Sequence, residues 1–423
     1  MNVASDQAAA HEAAAFVVRW QIAILLLFSP LFLFPSLRLV PFLIILPALW
    51  LLSWYVDGNP LPVTALNAQL ALIACMVLVS VYATPDIAFS LGKITGVLLG
   101  IGVFFGLVRL LTTSRQVEIA LVVFVLAGGA LACIGVLGTN WIVKVGVLQS
   151  VIAHVPALIR GIPGQAEGFQ PNAIAGALVM FIPLQFALAR TSTGLRRIAY
   201  AVLFLMTAAT VVLTQSRGAW LALAATFFFW MVWQSARSRK IAAALAIGGV
   251  VLIAVTYRPL TRFVMDHFGI NLQSDVSGRL ELWSRAIMAI EDFPFTGMGM
   301  NTFRRGVMVL YPTFLSSPES DVAHAHNHLL QAGVDLGIPG LIGYVSLWLG
   351  AGWLLVRCYR LSRTRTQRWI GSGIAAGLLA YFLFQTTDAI ALGAKVGIFF
   401  WIALALVVGL HRVISAEEAD LAT

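Results

Sequence analysis

The chain has little charge. Of its 423 residues, 11% are Asp, Glu, Lys or Arg, while 60% are hydrophobic. A soluble globule carries about 25% charged and roughly 45–50% apolar residues. That shortage excludes an ordinary soluble domain and calls for a bilayer to solvate most of the surface. Cysteine is equally scarce. Cys75 and Cys133 sit in apolar stretches and Cys358 at a basic helix end, with no metal-ligand or disulfide spacing. There is no compact basic domain, so the net charge of +9 is not a nucleic-acid footprint. The opening MNVASDQAAAHEAAAF lacks the basic start of a signal peptide, so the first apolar stretch is expected to stay as a span. No internal repeat stands out, and no paired carboxylates of the glycosidase kind are evident.

What the chain does have is apolar runs. A membrane span needs about 20 mostly apolar residues. Twelve candidates meet that description, near 16–35, 37–55, 64–83, 87–110, 117–138, 170–189, 196–214, 217–235, 240–256, 327–357, 369–389 and 393–412. Lys and Arg in short loops mark the cytoplasmic side. With both termini cytoplasmic, the inner ends hold Arg19, Arg109, Arg115, Arg190, Arg196, Arg197, Arg237, Arg239, Lys240, Arg357, Arg360, Arg363, Arg365, Arg368 and Arg412. The short outer loops then hold little beyond Arg38, Arg217 and Lys395. The expected fold is an all-α integral membrane protein. Residues 1–256 form nine spans with an external loop at 139–169, residues 257–326 an external lid subdomain, and residues 327–423 three spans and a cytoplasmic tail.

Within the lid, SGRLELWSRAIMAIEDF predicts an amphipathic helix on the membrane surface. Leu280, Trp283, Ile287 and Ile290 share one face, Ser277 is the expected N-cap, and Glu281 and Arg285 make an i, i+4 pair. The helix should stop at Asp292-Phe293-Pro294, leaving TGMGMN as loop.

Several polar residues fall where a lipid-bound chain has little use for them. Arg217 in LTQSRGAW ends a span behind Thr214, Gln215 and Ser216. A headgroup anchor explains the arginine alone; the polar knot followed by Gly points to an anionic group held in a protein-lined cavity. Arg279 is expected to open the lid helix, where orphan N–H groups and the dipole favour an anion; a solvated surface arginine is the competing reading. Arg160 lies in a Gly/Pro-rich external segment, HVPALIRGIPGQAEGFQPNAIAG, with Gln170 and Asn172 near the same mouth and Pro171 suited to a helix start. Lys93 falls in the outer half of a span and either lines a cavity or snorkels outward. Asp388, after Thr386 and Thr387, is its expected counter-charge.

HAHNH, residues 324–328, places three histidines in alternation. On a strand they would share a face; on a helix only His324 and His328 would ligate a metal jointly. Interfacial histidines bonded to headgroups are a second reading. A neutral imidazole at a helix N-terminus, able to act as a general base, is a third. The residues alone leave all three open.

The stretch His326-Asn327, nine residues, then Gly337-Ile338-Pro339-Gly340 resembles the HN-x9-G-x-x-G signature of bacterial O-antigen ligases, in the O-antigen ligase/polymerase membrane superfamily. LTQSRGAW resembles that superfamily's Ser-Arg-Gly corner, SGRLELWSRAIMAIEDFPFTGMGMNTF its Gly-Arg…Trp…Pro…Gly-x-Gly stretch, and GFQPNAIAG its Pro-Asn segment. Together these cover roughly 160–345. The resemblance implies a GT-C-like glycosyltransferase of the bacterial inner membrane. It implies transfer of polysaccharide from undecaprenyl diphosphate to a sugar hydroxyl of the lipid A core, on the periplasmic face, with inversion and without metal or other cofactor. It makes His326, Arg217 and Arg279 the catalytic residues. The positions of Arg160, Gln215, Asn172, Asn327, His324 and Lys93, rather than the family pattern, make them candidates for substrate binding. The partners implied are the lipid-linked glycan, the lipid A-core acceptor and membrane lipid. An O-antigen polymerase and a protein O-oligosaccharyltransferase share the same donor chemistry. A lipid-linked sugar transporter would instead predict inverted repeats and broken helices on both sides. The expectation to be met is that the arginines and one uncharged imidazole share a pocket at the outer leaflet.

Overall fold

A computed structural model describes residues 3–156, 158–161, 166–234, 240, 272–315 and 321–420. Among these the regular structure is helical, with one isolated bridge pairing Thr139 and Phe169. The helices are α1 Val3–Arg19, α2 Gln21–Leu33, α3 Ile45–Asp57, α4 Asn67–Ala83, α5 Ile87–Leu110, α6 Ser114–Gly138, α7 Gln149–Ile152 and α8 Pro171–Leu178. They continue with α9 Phe181–Thr191, α10 Gly194–Leu213, α11 Arg217–Gln234, α12 Leu272–Asp292, α13 Phe303–Leu310, α14 His328–Leu361, α15 Arg365–Gln385 and α16 Ile398–Ala419.

Each expected span has a helix at its place except 240–256, which lies outside the described residues apart from Lys240. Length and composition are stricter. Among the described residues seven helices are long and apolar enough to cross a membrane, or eight if the α1–α2 pair, bent by 63°, is one span. Asn67–Ala83 and Arg217–Trp233 are apolar but shorter. The chain is thus an α-helical, multi-pass membrane protein.

The helices pack as two compact units, each drawn from separate stretches of chain. The first unit comprises Met1–Leu121, Trp283–Leu361 and Ala391–Thr423. In it α4 packs on α14, and α5 on α2 and α16. Small residues permit close approach. A Cβ at Gly96 would strike the Gly393 carbonyl, and one at Gly100 the Trp401 ring. Thr95 Oγ1 donates 2.6 Å to the Phe32 carbonyl, satisfying an acceptor left over at the end of α2. The second unit comprises Val122–Leu282 and Ser362–Ile390. There α9 packs on α10 and α15, and α15 on α11. Its aromatic cluster joins Phe186, Phe227, Trp230 and Trp369.

Two local expectations are corrected. The helix expected to begin behind Ser277 begins at Leu272, so Ser277 lies inside it. It does end at Asp292, with Phe293 and Pro294 beyond. Its buried face is also one notch from the expected one. Leu282, Ala286 and Ala289 are buried, while Leu280 and Ile287 are exposed. Two alanines let the backbone come close to its neighbours, and the bulkier Leu280 and Ile287 are left on the outside. Of the expected lid, residues 257–271 and 316–320 lie outside the described residues.

Candidate active site

The three histidines stand at the start of α14, and its geometry explains them. As one straight helix, 34 residues would measure about 51 Å. It is not straight: Gly337 has φ 69° and ψ −177°. His328 Nδ1 lies 2.8 Å from the Tyr344 hydroxyl, sixteen residues further on, a separation of about 24 Å along an unbroken helix. The His328 ring also meets Trp348 edge-on, centroids 6.0 Å apart. The chain therefore doubles back at Gly337, and 328–336 lies against the first turns of 338–361. The break needs glycine twice over, since its φ is left-handed and a Cβ would press on the Phe295 carbonyl at 2.7–2.8 Å. The TGMGMN loop, expected as such, fills the notch: Met298 N–H donates to the Val334 carbonyl at 2.8 Å and Ile338 N–H to the Pro294 carbonyl at 2.7 Å.

Above that notch, Asn327 caps the helix. Its Oδ1 accepts from Leu329 N–H at 2.9 Å and Leu330 N–H at 3.2 Å. His326 precedes it with φ 50°, uncommon for a residue with a side chain. Its N–H donates to His324 Nδ1 at 3.2 Å, and the two rings lie 4.5 Å apart. This corrects the helical ligand reading: His324 and His326 come together ahead of the helix, and His328 turns away, buried against Tyr344. Lys93 of α5, half-buried, lies in the attractive field of Asp335 and the repulsive fields of Arg304 and Lys395. Asp335, not singled out by the sequence reading, is a carboxylate whose charge acts on Lys93.

The same end of the first unit carries α13. Arg304 forks onto Asp321, with Nε 2.6 Å from Oδ1. The Arg304 hydrogen bond holds Asp321 below the usual carboxylate range, and the pairing pushes Arg304 up. Arg305 reaches Asp86 at 2.5 Å and lies 3.7 Å over the Phe89 ring. Asp86 caps α5 by accepting from Phe89 N–H at 3.0 Å, a bond that lowers its pKa. The Tyr311 hydroxyl donates 2.6 Å to Asp292, tying the ends of α12 and α13 together. Burial and that carboxylate push Tyr311 up to about 12.

The second unit holds the arginine corner. Thr214, Gln215 and Ser216 are buried, and Arg217, half-buried, begins α11. Gln215 has φ 53°. Its Oε1 accepts from Lys144 N–H at 2.7 Å and Val145 N–H at 2.5 Å, and its Nε2 donates to the Ile142 carbonyl at 2.9 Å. The amide is thus engaged with the loop after α6, and its role is to hold the corner. A Cβ at Gly218 would meet Thr387 Oγ1 at 2.8 Å, which is why glycine follows Arg217 beside the end of α15 and Asp388. The same α6 end receives the segment leading into α8: Phe169 N–H donates to the Gly138 carbonyl, and the Phe169 carbonyl accepts from Asn140 N–H. Arg160 is exposed on that segment, and Asn172 is half-buried in the first turn of α8, which opens on Pro171 as expected. Arg160, Asn172, Gln215 and Arg217 therefore share one end of the second unit. Arg279 is half-buried in the interior of α12, not at its N-terminus, so the dipole argument made for it falls.

The sequence reading missed Gln331, Asp335 and Asn301. An acid four residues after a glutamine, inside an otherwise apolar run, is the signal for Gln331 and Asp335; Asn301, in the TGMGMN loop, carries no such signal.

Residues 201–345 match a family model described as O-antigen ligase (Wzy_C). The match takes in the Arg217 corner, Arg279 and the HN-x9-G-x-x-G stretch; Arg160 and the GFQPNAIAG segment precede it. No curated protein matches the chain. Residues 201–345 are thus similar to the O-antigen ligase family domain, within a chain whose described residues include seven helices apolar and long enough to cross a membrane.

Proposed function

We propose that the protein is an O-antigen ligase. It moves a polysaccharide from undecaprenyl diphosphate to a sugar hydroxyl of the lipid A core, on the periplasmic face of the bacterial inner membrane, with both termini cytoplasmic. The observation that carries this reading is the folded-back 328–336 helix, which presents His326 on a left-handed turn within the HN-x9-G-x-x-G stretch. The acceptor hydroxyl oxygen attacks the anomeric carbon and its proton passes to His326. The bond from that carbon to the diphosphate oxygen breaks, and undecaprenyl diphosphate leaves with the electron pair. In-line displacement inverts the centre in one step. Arg217 and Arg279 stabilise the growing diphosphate charge, a term worth several kcal/mol when donors are preorganised away from water. Lys93, Arg160, Asn172, Asn327 and His324 shape the substrate approach.

The test uses purified full-length protein, undecaprenyl-diphosphate glycan and rough lipopolysaccharide, with EDTA present. A ladder of glycan-bearing lipid A core is expected, and His326→Ala abolishes it while protein level and insertion stay normal. Polymerised donor without lipid A-core product makes the protein a polymerase. Activity lost to EDTA and restored by a divalent ion overturns the metal-free mechanism.

A further inference from the structure

Beneath the His326 turn runs a buried chain of hydrogen bonds that the reaction above does not use. Gln331 is 3% exposed and Asp335 1%. Gln331 Oε1 accepts from Ala325 N–H at 2.8 Å, and Ala325 is fully buried. The other end of the same amide, Nε2, donates 2.9 Å to Asp335 Oδ1. That oxygen also accepts from Asn301 N–H at 3.2 Å. Asn301 has φ 64°, and its own amide donates 3.0 Å to the Phe89 carbonyl of α5. One line of bonds thus joins α5, the 297–301 loop, the folded-back helix and the peptide next to His326.

The geometry points to Gln331 as a positioning residue: its amide, braced by Asp335, holds Ala325 so that His326 stays in the left-handed turn that presents its imidazole. A left-handed residue with a side chain is strained and persists only where neighbours over-determine it. The Ala325 bond supplies that constraint from the residue directly before His326. A glutamine suits the task because it accepts at one end and donates at the other, so a backbone N–H and a carboxylate, which have no direct match, are bridged without a buried net charge being added. The inference rests on the ligase reading for its kinetic arm only.

The experiment compares full-length wild type, Gln331→Met, Asp335→Asn and the combined Gln331→Glu/Asp335→Asn variant. Three quantities are read: kcat and KM for each substrate, the acid limb of kcat against pH, and the rate at which diethylpyrocarbonate modifies His326, followed by peptide mass spectrometry. Gln331→Met keeps the volume and removes both bonds. It is expected to lower kcat at least tenfold, leave the donor KM within twofold, shift the acid limb, and change the His326 modification rate severalfold. Asp335→Asn keeps the accepting oxygen and should stay within about threefold of wild type. In the combined variant the new amide donates to the new carboxylate, which still accepts from Ala325 N–H, so kcat and the modification rate return towards wild type. Should Gln331→Met fail to fold, the combined variant against Asp335→Asn decides. Unchanged His326 modification and an unchanged acid limb in folded Gln331→Met overturn the inference. If His326→Ala keeps full transfer, the ligase mechanism falls, while the modification rates still decide the role of Gln331.

Discussion

The His326 end of the first unit and the Arg217 corner of the second solve one problem in two ways. Each presents a side chain of the proposed site at or beside a residue in left-handed backbone: His326 itself at φ 50°, and Gln215, two residues before Arg217, at φ 53°. Each uses a buried glutamine amide to fix that turn. At the corner the glutamine is the strained residue and bonds directly to three backbone groups of the 142–145 loop, some seventy positions away. At the histidine end the glutamine stands apart on a helix and leans on a buried carboxylate. The corner's glutamine amide is anchored to backbone groups. The histidine end depends on side chains and on the break at Gly337, and is the more easily detuned.

The comparison can be broken most severely at that break. Gly337→Ala must bear a Cβ in left-handed backbone and against the Phe295 carbonyl. It should cost about 2–4 kcal/mol, enough to release 328–336 from Tyr344. Proteolytic cleavage around 321–337, with α9–α11 still protected, is the expected pattern; uniform protection means the fold-back is not what holds the histidines. Next in size is Arg217→Ala, expected to lower kcat about 10²–10³-fold under the proposed chemistry. Arg217→Lys should recover little, because a point charge does not reproduce the fork on a diphosphate. Full recovery by lysine removes the bidentate role.

A smaller effect is expected from Gln215→Leu, which leaves the Lys144 and Val145 N–H groups unsatisfied. The cost is about 1–3 kcal/mol, read as a lower thermal midpoint in detergent. If Gln331→Met costs as much in stability as Gln215→Leu, the contrast between a structural and a positioning glutamine disappears. The smallest effect is electrostatic. Asp321 has a depressed pKa, so the Arg304 pair contributes above the ordinary carboxylate value of 3.8 and is lost as pH falls through the depressed one. Both side chains are substantially exposed, so Asp321→Asn should change stability by less than about 1 kcal/mol. A midpoint difference between Asp321→Asn and wild type that grows as the pH falls below 3.8 contradicts the pairing.

The sequence by itself determined the solvent and much of the layout. Sparse charge and long apolar runs fix a helical membrane protein, because only intrahelical bonds satisfy a backbone in lipid. Helix-start and helix-stop chemistry marked Pro171 and Asp292, and the polar knot before it marked Arg217; Arg279 and His326 were singled out as catalytic only by the family resemblance. Tertiary structure alone decided which face of α12 is buried, since close approach favours its alanines over its larger side chains. It decided that His324 pairs with His326, because the helix starts only at His328. It decided, too, that α14 doubles back and that Gln331 and Asp335 brace the turn. Those outcomes depend on what the 294–301 loop places against Gly337, a contact between residues some forty positions apart that no local pattern encodes.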